Sequence, residues 1–276
     1  MALIVNTNMN ALVIENSLTS TNNAISSSLQ KLSSGLKINS AQDDPAGYAV
    51  ANSFAAKIAA MNVASQNASE AQSMLQTADG AYSQINNILV QMKSLATEAA
   101  SGQTDNADLT GEFSALQGEI TTIANSTSYG STNLISGTGT GASGITFQVG
   151  ATNSGTNQIS ISFYGATAAC LAVDSGTIGI SSLASAQVAM DKIDSALTSI
   201  NAYMGDVGAT QNQLQYTINN LTTSIQNYTS SQSTIEDVDM ASEISNLTKN
   251  QILQQSAMAM LAQANSQPQT ILKLLG

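Results

Sequence analysis

The chain has 276 residues, a net charge of −11 and only 9 % charged side chains. Seven lysines and arginines are too few to displace the counterions of a nucleic acid or to hold an anionic membrane surface. The absence of histidine removes His-dependent triads, His metal sites and the commonest general base, and the single Cys170 cannot form an internal disulfide or half of a zinc site. It reads as a buried or incidental thiol.

Hydrophobic residues make up 42 % of the chain but aromatics only 4 %, and tryptophan is absent. The core is therefore expected to be aliphatic and alanine-rich, as in helical bundles. A surface of Ser, Thr, Asn and Gln repels its own copies weakly, so identical subunits can pack side by side with little desolvation of charge. No run of about 18 apolar residues marks a membrane span. The first ten residues lack a basic segment leading into an apolar one, so a cleaved secretory leader is not expected.

Residues 3 to 38 carry helical periodicity. Leu18, Ile25 and Leu32 repeat at seven, and Leu29 and Leu36 follow four residues after Ile25 and Leu32. Gly35 loosens this helix, at about 1 kcal/mol relative to alanine in a helix interior. The connector 39 to 47 contains Asp43 and Asp44 followed by Pro45; capping of the next helix by Asp44 outweighs a metal or acid–base role, which two neighbouring carboxylates do not support.

A long helix is expected over 46 to 100. From Ala55 onward its heptad a positions are Met61, Ala68, Leu75, Tyr82, Leu89 and Ala96; its d positions are Ala64, Ala71, Ala78, Ile85, Met92 and Ala99. Its natural partner is Ala186 to Ile235. There a reads Ile193, Ile200, Val207, Leu214, Leu221, Tyr228 and Ile235, and d reads Met190, Leu197, Met204, Gln211, Ile218, Ile225 and Gln232. Small residues on the first run face large ones on the second, which permits close approach. About 50 helical residues at 1.5 Å rise span roughly 75 Å, and so the two runs predict a long rod.

Between them, a polar break at 101 to 108 precedes a shorter helix over 109 to 126, with Phe113, Leu116, Ile120 and Ile123 on one face, expected to fold back on the long pair as a third helix. The segment 127 to 179 changes character. Ile145, Phe147 and Val149 alternate with polar residues, as do Ile159, Ile161 and Phe163, which predicts a hairpin. The Gly-rich stretch 137 to 144 leads into a strand and has no lysine after it, so it reads as a surface turn and not a phosphate loop. After the long run, Glu236, Asp237 and Asp239 form the acidic first turn of a last helix over 240 to 275, which Pro268 interrupts. Its apolar positions include Ile244, Leu247, Ile252, Met258, Leu261, Ile271 and Leu275. Asn-x-Ser/Thr matches at Asn67, Asn125, Asn220, Asn227 and Asn246 are expected by chance in so polar a chain.

The fold class is thus mainly α: a long antiparallel coiled-coil rod with paired N- and C-terminal helices and a small β-hairpin region in the middle. No cofactor is implied. The rod core is Leu75, Ile85, Leu89, Ile193, Leu197, Ile200, Leu214, Ile218, Leu221 and Ile225. The terminal helices offer a seam of Leu18, Ile25, Leu29, Leu32, Leu36, Ile244, Leu247, Ile252 and Leu261, expected to be buried when copies pack together.

Two sets of residues carry a specific resemblance. Leu32 to Ala41 (LSSGLKINSA) with Asp43 and Asp44 resembles the N-terminal signature of bacterial flagellins. Ile235-Glu236-Asp237, Gln251 to Gln255 (QILQQ), Leu261 to Asn265 (LAQAN), Pro268-Gln269 and Leu274-Leu275 resemble the C-terminal one. The resemblance implies a self-polymerising subunit of the extracellular flagellar filament, exported without a cleaved leader by the flagellar type III apparatus. It implies an inner layer from 1–34 and 236–276, an outer domain from 35–235, and a thin, smooth filament, since 127 to 185 has no room for outer variable domains. By the same resemblance, partners include the cap, the hook-junction proteins, an export chaperone and a vertebrate innate-immune receptor that reads Gln91, Lys93, Leu95 and Glu119, with Gln91 standing where Arg is common. The same resemblance allows O-glycans on the Ser/Thr-rich middle, as in some relatives, but plain exposed polar loops are the slightly preferred reading. The hook–filament junction protein is the alternative within the superfamily, and a secreted adhesin or enzyme is a remote one.

Overall fold

The computed structural model describes residues 8–101, 106–137 and 144–275. The sequence-predicted features at residues 1–7, in the break at 102–105 and in most of the Gly-rich stretch lie outside them. The elements run α1 (Met9–Ser34), α2 (Pro45–Ala100), α3 (Asn106–Ser126), β1 (Ser128–Tyr129), β2 (Thr132–Asn133), β3 (Ile145–Gln148), β4 (Gln158–Ile161), α4 (Leu183–Glu236) and α5 (Met240–Leu275). The chain divides into two compact units, one of residues 1–57 and 227–276 and the other of residues 58–226.

The 58–226 unit holds the main core. On α4 the a positions Ile193, Ile200, Val207, Leu214 and Leu221 are buried, while Leu197, Ile218 and Ile225 at d are half-buried. On α2 all six d positions from Ala64 to Ala99 are buried, as are the a positions from Ala68 to Ala96. A third row on α2, Met74, Ala81 and Leu95, is buried as well. This row exists because α3, through Leu109, Phe113, Ile120 and Ala124, and the segment 134–180 join the same hydrophobic cluster.

Polar contacts pin this arrangement. The Tyr82 hydroxyl donates to the Tyr164 carbonyl (2.7 Å) and accepts from its N–H (3.1 Å). Burial pushes the Tyr82 phenol well above its usual range, so it stays a neutral donor. Buried Gln117 donates to the carbonyls of Val173 (2.8 Å) and Ile178 (3.3 Å), tying down a stretch with no regular element. β3 and β4 pair antiparallel, with Ile145 opposite Ile161 and Phe147 opposite Ile159, as the alternation predicts. The small β1–β2 hairpin was not anticipated. Cys170 is exposed, so of the two readings, buried or incidental thiol, the buried one is corrected.

The 1–57/227–276 unit is the pair of chain ends, α1 packed on α5. Its helix starts follow side-chain chemistry. Asn8 caps α1 (Oδ1 accepts from Ala11 N–H, 3.2 Å), Asp44 caps α2 (from Ala46 and Gly47 N–H, 3.1 and 3.0 Å), and Asp239 caps α5 (from Ala241 and Ser242 N–H, 3.0 and 3.2 Å). The acidic run is therefore shared out: Glu236 ends α4, and Asp239 alone caps α5.

Two expectations about these helices are corrected. α1 does not continue through Gly35 to residue 38. Gly35 adopts φ +75° as the left-handed C-cap, and its N–H donates to the Lys31 carbonyl (2.9 Å). The glycine ends the helix because only it takes that conformation without a Cβ penalty. Leu36 consequently lies beyond α1, in a bridge with Asp237, where Lys37 N–H donates to the Glu236 carbonyl and Val238 N–H to the Gly35 carbonyl.

The second correction concerns Pro268, which does not interrupt α5: the helix runs unbroken from Met240 to Leu275. A proline there brings no N–H to the carbonyl four residues back, that of Ala264. The Asn8 Nδ2 donates to that carbonyl at 2.9 Å. One side chain thus caps α1 and satisfies a carbonyl that Pro268 cannot reach.

Candidate assembly interface

The α1–α5 pair shows what the terminal helices can do. On α1 the less exposed positions include Ala11, Ile14, Leu18, Thr21, Ile25, Ser28 and Leu32, spaced alternately three and four, with Ala24 and Lys31 beside them. On α5 they include Glu243, Leu247, Asn250, Gln254, Ala257, Leu261 and Ala264, alternating four and three, with Ser266 beyond them. Each helix therefore turns one narrow heptad stripe to its partner. Thr21, Ser28, Glu243, Asn250 and Gln254 make the stripe partly polar, and Gln254 donates to Asn22 Oδ1 across the pair (2.7 Å).

Most of the large apolar side chains lie off this stripe. Met9, Leu12, Val13 and Leu29 on α1 are 48–63 % exposed, and Met240, Ile244, Ile252, Leu253, Met258 and Met260 on α5 are 46–59 % exposed. The predicted seam therefore divides. Leu18, Ile25, Leu32, Leu247 and Leu261 face the intramolecular partner and are only partly covered; Leu29, Ile244 and Ile252 point outward. Helical periodicity alone could not separate the two stripes, because both are apolar at spacing three and four. An apolar face of this length, left without a partner among the described residues, is a candidate interaction surface.

Among the described residues no group of three or more Asp, Glu or Cys side chains could hold a metal ion. Asp43 is an exposed turn residue whose Oδ2 accepts from Asn39 and Ser40 N–H (3.1 and 2.9 Å); those hydrogen bonds hold its carboxyl below the usual aspartate value.

Comparison with known proteins identifies what the surface belongs to. The model of the bacterial flagellin N-terminal helical region matches residues 5–140, and that of the bacterial flagellin C-terminal helical region matches residues 190–275. The chain belongs to the bacterial flagellin family. It is 37 % identical to flagellin of Bacillus subtilis over 98 % of this chain and 99 % of that protein. It is 34 % identical to the flagellar filament 30.7 kDa core protein of Treponema maltophilum over 99 % of this chain and all of the relative. The crystal structure of Bacillus cereus flagellin aligns with a TM-score of 0.49 at 29 % identity, covering 56 % of this chain and 88 % of that one.

In this flagellin the four residues tied by resemblance to an immune receptor are not alike. Gln91 and Glu119 are exposed, and Gln91 donates to Glu112 (3.3 Å). Lys93 forms an ion pair with Asp194 on α4, and Leu95 is buried at 8 % exposure. All five Asn-x-Ser/Thr asparagines lie inside helices, and Asn67 is engaged, its Nδ2 donating to the Gln148 carbonyl (3.0 Å).

Proposed function

We infer that this flagellin is a structural subunit that self-polymerises into the extracellular flagellar filament, and that the outward apolar faces of α1 and α5 are what its copies bury. Membership of the flagellin family supports the first part. The carrying observation for the second is the row Ile244, Ile252, Met258 and Met260, about half exposed on a helix whose inner stripe is already used. Each such side chain, if fully buried, contributes about 1.5–3 kcal/mol gross, offset by the ordering of the terminal segments.

The inward stripe plays a different part. Leu18, Ile25, Leu32, Leu247 and Leu261 hold the two chain ends together as a single assembling element. Residues 1–34 and 236–276 form the inner layer in this reading, and 35–235 the outer one. Export runs through the flagellar type III apparatus, with the distal cap, the hook-junction proteins and an export chaperone as partners; the family assignment supports this. A receptor-facing patch rests on Gln91, Lys93 and Glu119, while Leu95 serves the core.

The test is seeded polymerisation of the Ile252→Asp/Met260→Asp variant. Two carboxylates on an apolar interface carry a desolvation cost of several kcal/mol each, so monomers with normal helicity and no filament growth are expected. Growth at the parental rate would refute the assignment of that face.

A further inference from the structure

The 58–226 unit holds an open cleft of about 780 Å³ between the β3–β4 loop and the outer surface of α4. Its size falls within the range of about 300–1,000 Å³ usual for small-molecule sites. The floor is apolar, with Ile159 and Leu221 both 6 % exposed. The rim is made of amides and hydroxyls. No Asp, Glu, Lys or Arg lines it, although the chain carries a net charge of −11.

Over this cleft stands Tyr216, 76 % exposed, the most exposed large hydrophobic side chain among the described residues. Neither packing nor a hydrogen bond accounts for it. One turn away on either side, on the same helix, are Asn212, Gln213 and Asn220. Their side-chain amides have no hydrogen-bond partner among the described residues, so each presents both a donor and an acceptor to the cleft.

The opposite wall is rigid. Gln148 Nε2 donates to the carbonyls of Gly150 and Thr152 (both 2.9 Å), and Asn157 Nδ2 donates to the Thr152 carbonyl (3.2 Å). A Cβ at Gly150 would fall 2.4 Å from Asn157 Cγ, so a larger residue there would displace the Asn157 side chain. A wall fixed before binding reduces the entropy lost on binding.

These features select a class of ligand. Without a cation the cleft has nothing to neutralise a phosphate, sulfate or carboxylate. Its free amides match vicinal hydroxyls, which both donate and accept. An exposed aromatic face, negative at its centre, suits the weakly positive C–H face of a pyranose ring. We propose that the cleft between the β3–β4 loop and α4 is a binding site for a short neutral oligosaccharide, stacked on Tyr216 and held by Asn212, Gln213 and Asn220. Every lining residue belongs to the 58–226 unit, whereas α1 and α5 belong to the other.

The experiment is saturation-transfer NMR on the full chain with maltotriose and chitotriose as neutral probes and trigalacturonate as the charged one. Transfer to at least one neutral probe is expected, with none to trigalacturonate. Tyr216→Ala should weaken that binding about tenfold, the upper end of what an aromatic contact contributes, while Tyr216→Phe should retain it. Circular dichroism checks that the variants fold; at so exposed a position both should. The proposal is overturned if neither neutral probe gives transfer at about 10 mM, if trigalacturonate binds as well as they do, or if Tyr216→Ala binds like the parent.

Discussion

Asn8 makes two hydrogen bonds from one side chain, and their separate worth can be measured. Its Oδ1 caps α1 through Ala11 N–H (3.2 Å), and its Nδ2 serves the Ala264 carbonyl (2.9 Å), toward which Pro268 offers no donor. Replacement by alanine removes the cap, at about 1 kcal/mol. It also leaves the Ala264 carbonyl without this donor; Ala264 is 8 % exposed, so water is a poor substitute, and about 1 kcal/mol or more is added.

Pro268→Ala returns a backbone N–H to the same carbonyl. In that background Asn8→Ala should cost only the cap. The two substitutions are therefore expected to couple by about 1 kcal/mol in a double-mutant cycle. Amide hydrogen exchange over 9–34 and 240–267 is the suitable readout, because it reports local opening of the α1–α5 pair independently of the other unit. Equal loss of protection from Asn8→Ala in both backgrounds would refute the reasoning and leave Asn8 as a cap alone.

Four further outcomes follow from the same physics. Gly35→Ala places a Cβ at φ +75° and should destabilise the α1 terminus by about 1–2 kcal/mol, read as faster exchange of the last turn of α1. Leu89→Ala empties a site that is fully buried in the main core and should cost about 2–5 kcal/mol in urea unfolding of the monomer. Tyr82→Phe leaves both the N–H and the carbonyl of Tyr164 without their partner and should cost about 1–3 kcal/mol by the same assay. The Asp43 carboxyl titrates below the ordinary aspartate value because the folded turn favours its charged form. Its contribution is therefore present above the unfolded value and lost as pH falls through the folded one; the Asn39 and Ser40 amide resonances should report an apparent pKa under 3.8. A value at or above it would contradict the hydrogen-bonded turn.

The helical core was legible because two heptad runs far apart in the chain are complementary. Ile193 to Leu221 repeat large apolar residues at seven, and Ala64 to Ala99 offer small ones. The β3–β4 hairpin was legible from strict alternation between Ile145 and Phe163. Several features were not. Gly35 is compatible with either a weak helix interior or a left-handed cap, and only the chain path beyond it decides. Pro268 reads as a breaker unless a donor from residue 8 is known to reach Ala264, a contact across most of the sequence. The division of Leu18 from Leu29, or Leu247 from Ile252, depends on a rotation about the helix axis that two overlapping apolar stripes leave undetermined. Burial of the third row on α2 likewise depends on the irregular segment 162–182, whose Ala166, Val173 and Ile180 enter the core without periodicity.

Removing residues 240–276 should leave the 58–226 core folded by circular dichroism while abolishing polymerisation; filaments from that truncation would move assembly away from the chain ends. The most direct test of the central claim is electron microscopy of purified full-length monomer after addition of short filament seeds at neutral pH. Long uniform filaments growing from the seeds are the expected result. Monomers that remain unassembled while retaining full helicity would contradict self-polymerisation through the terminal helices.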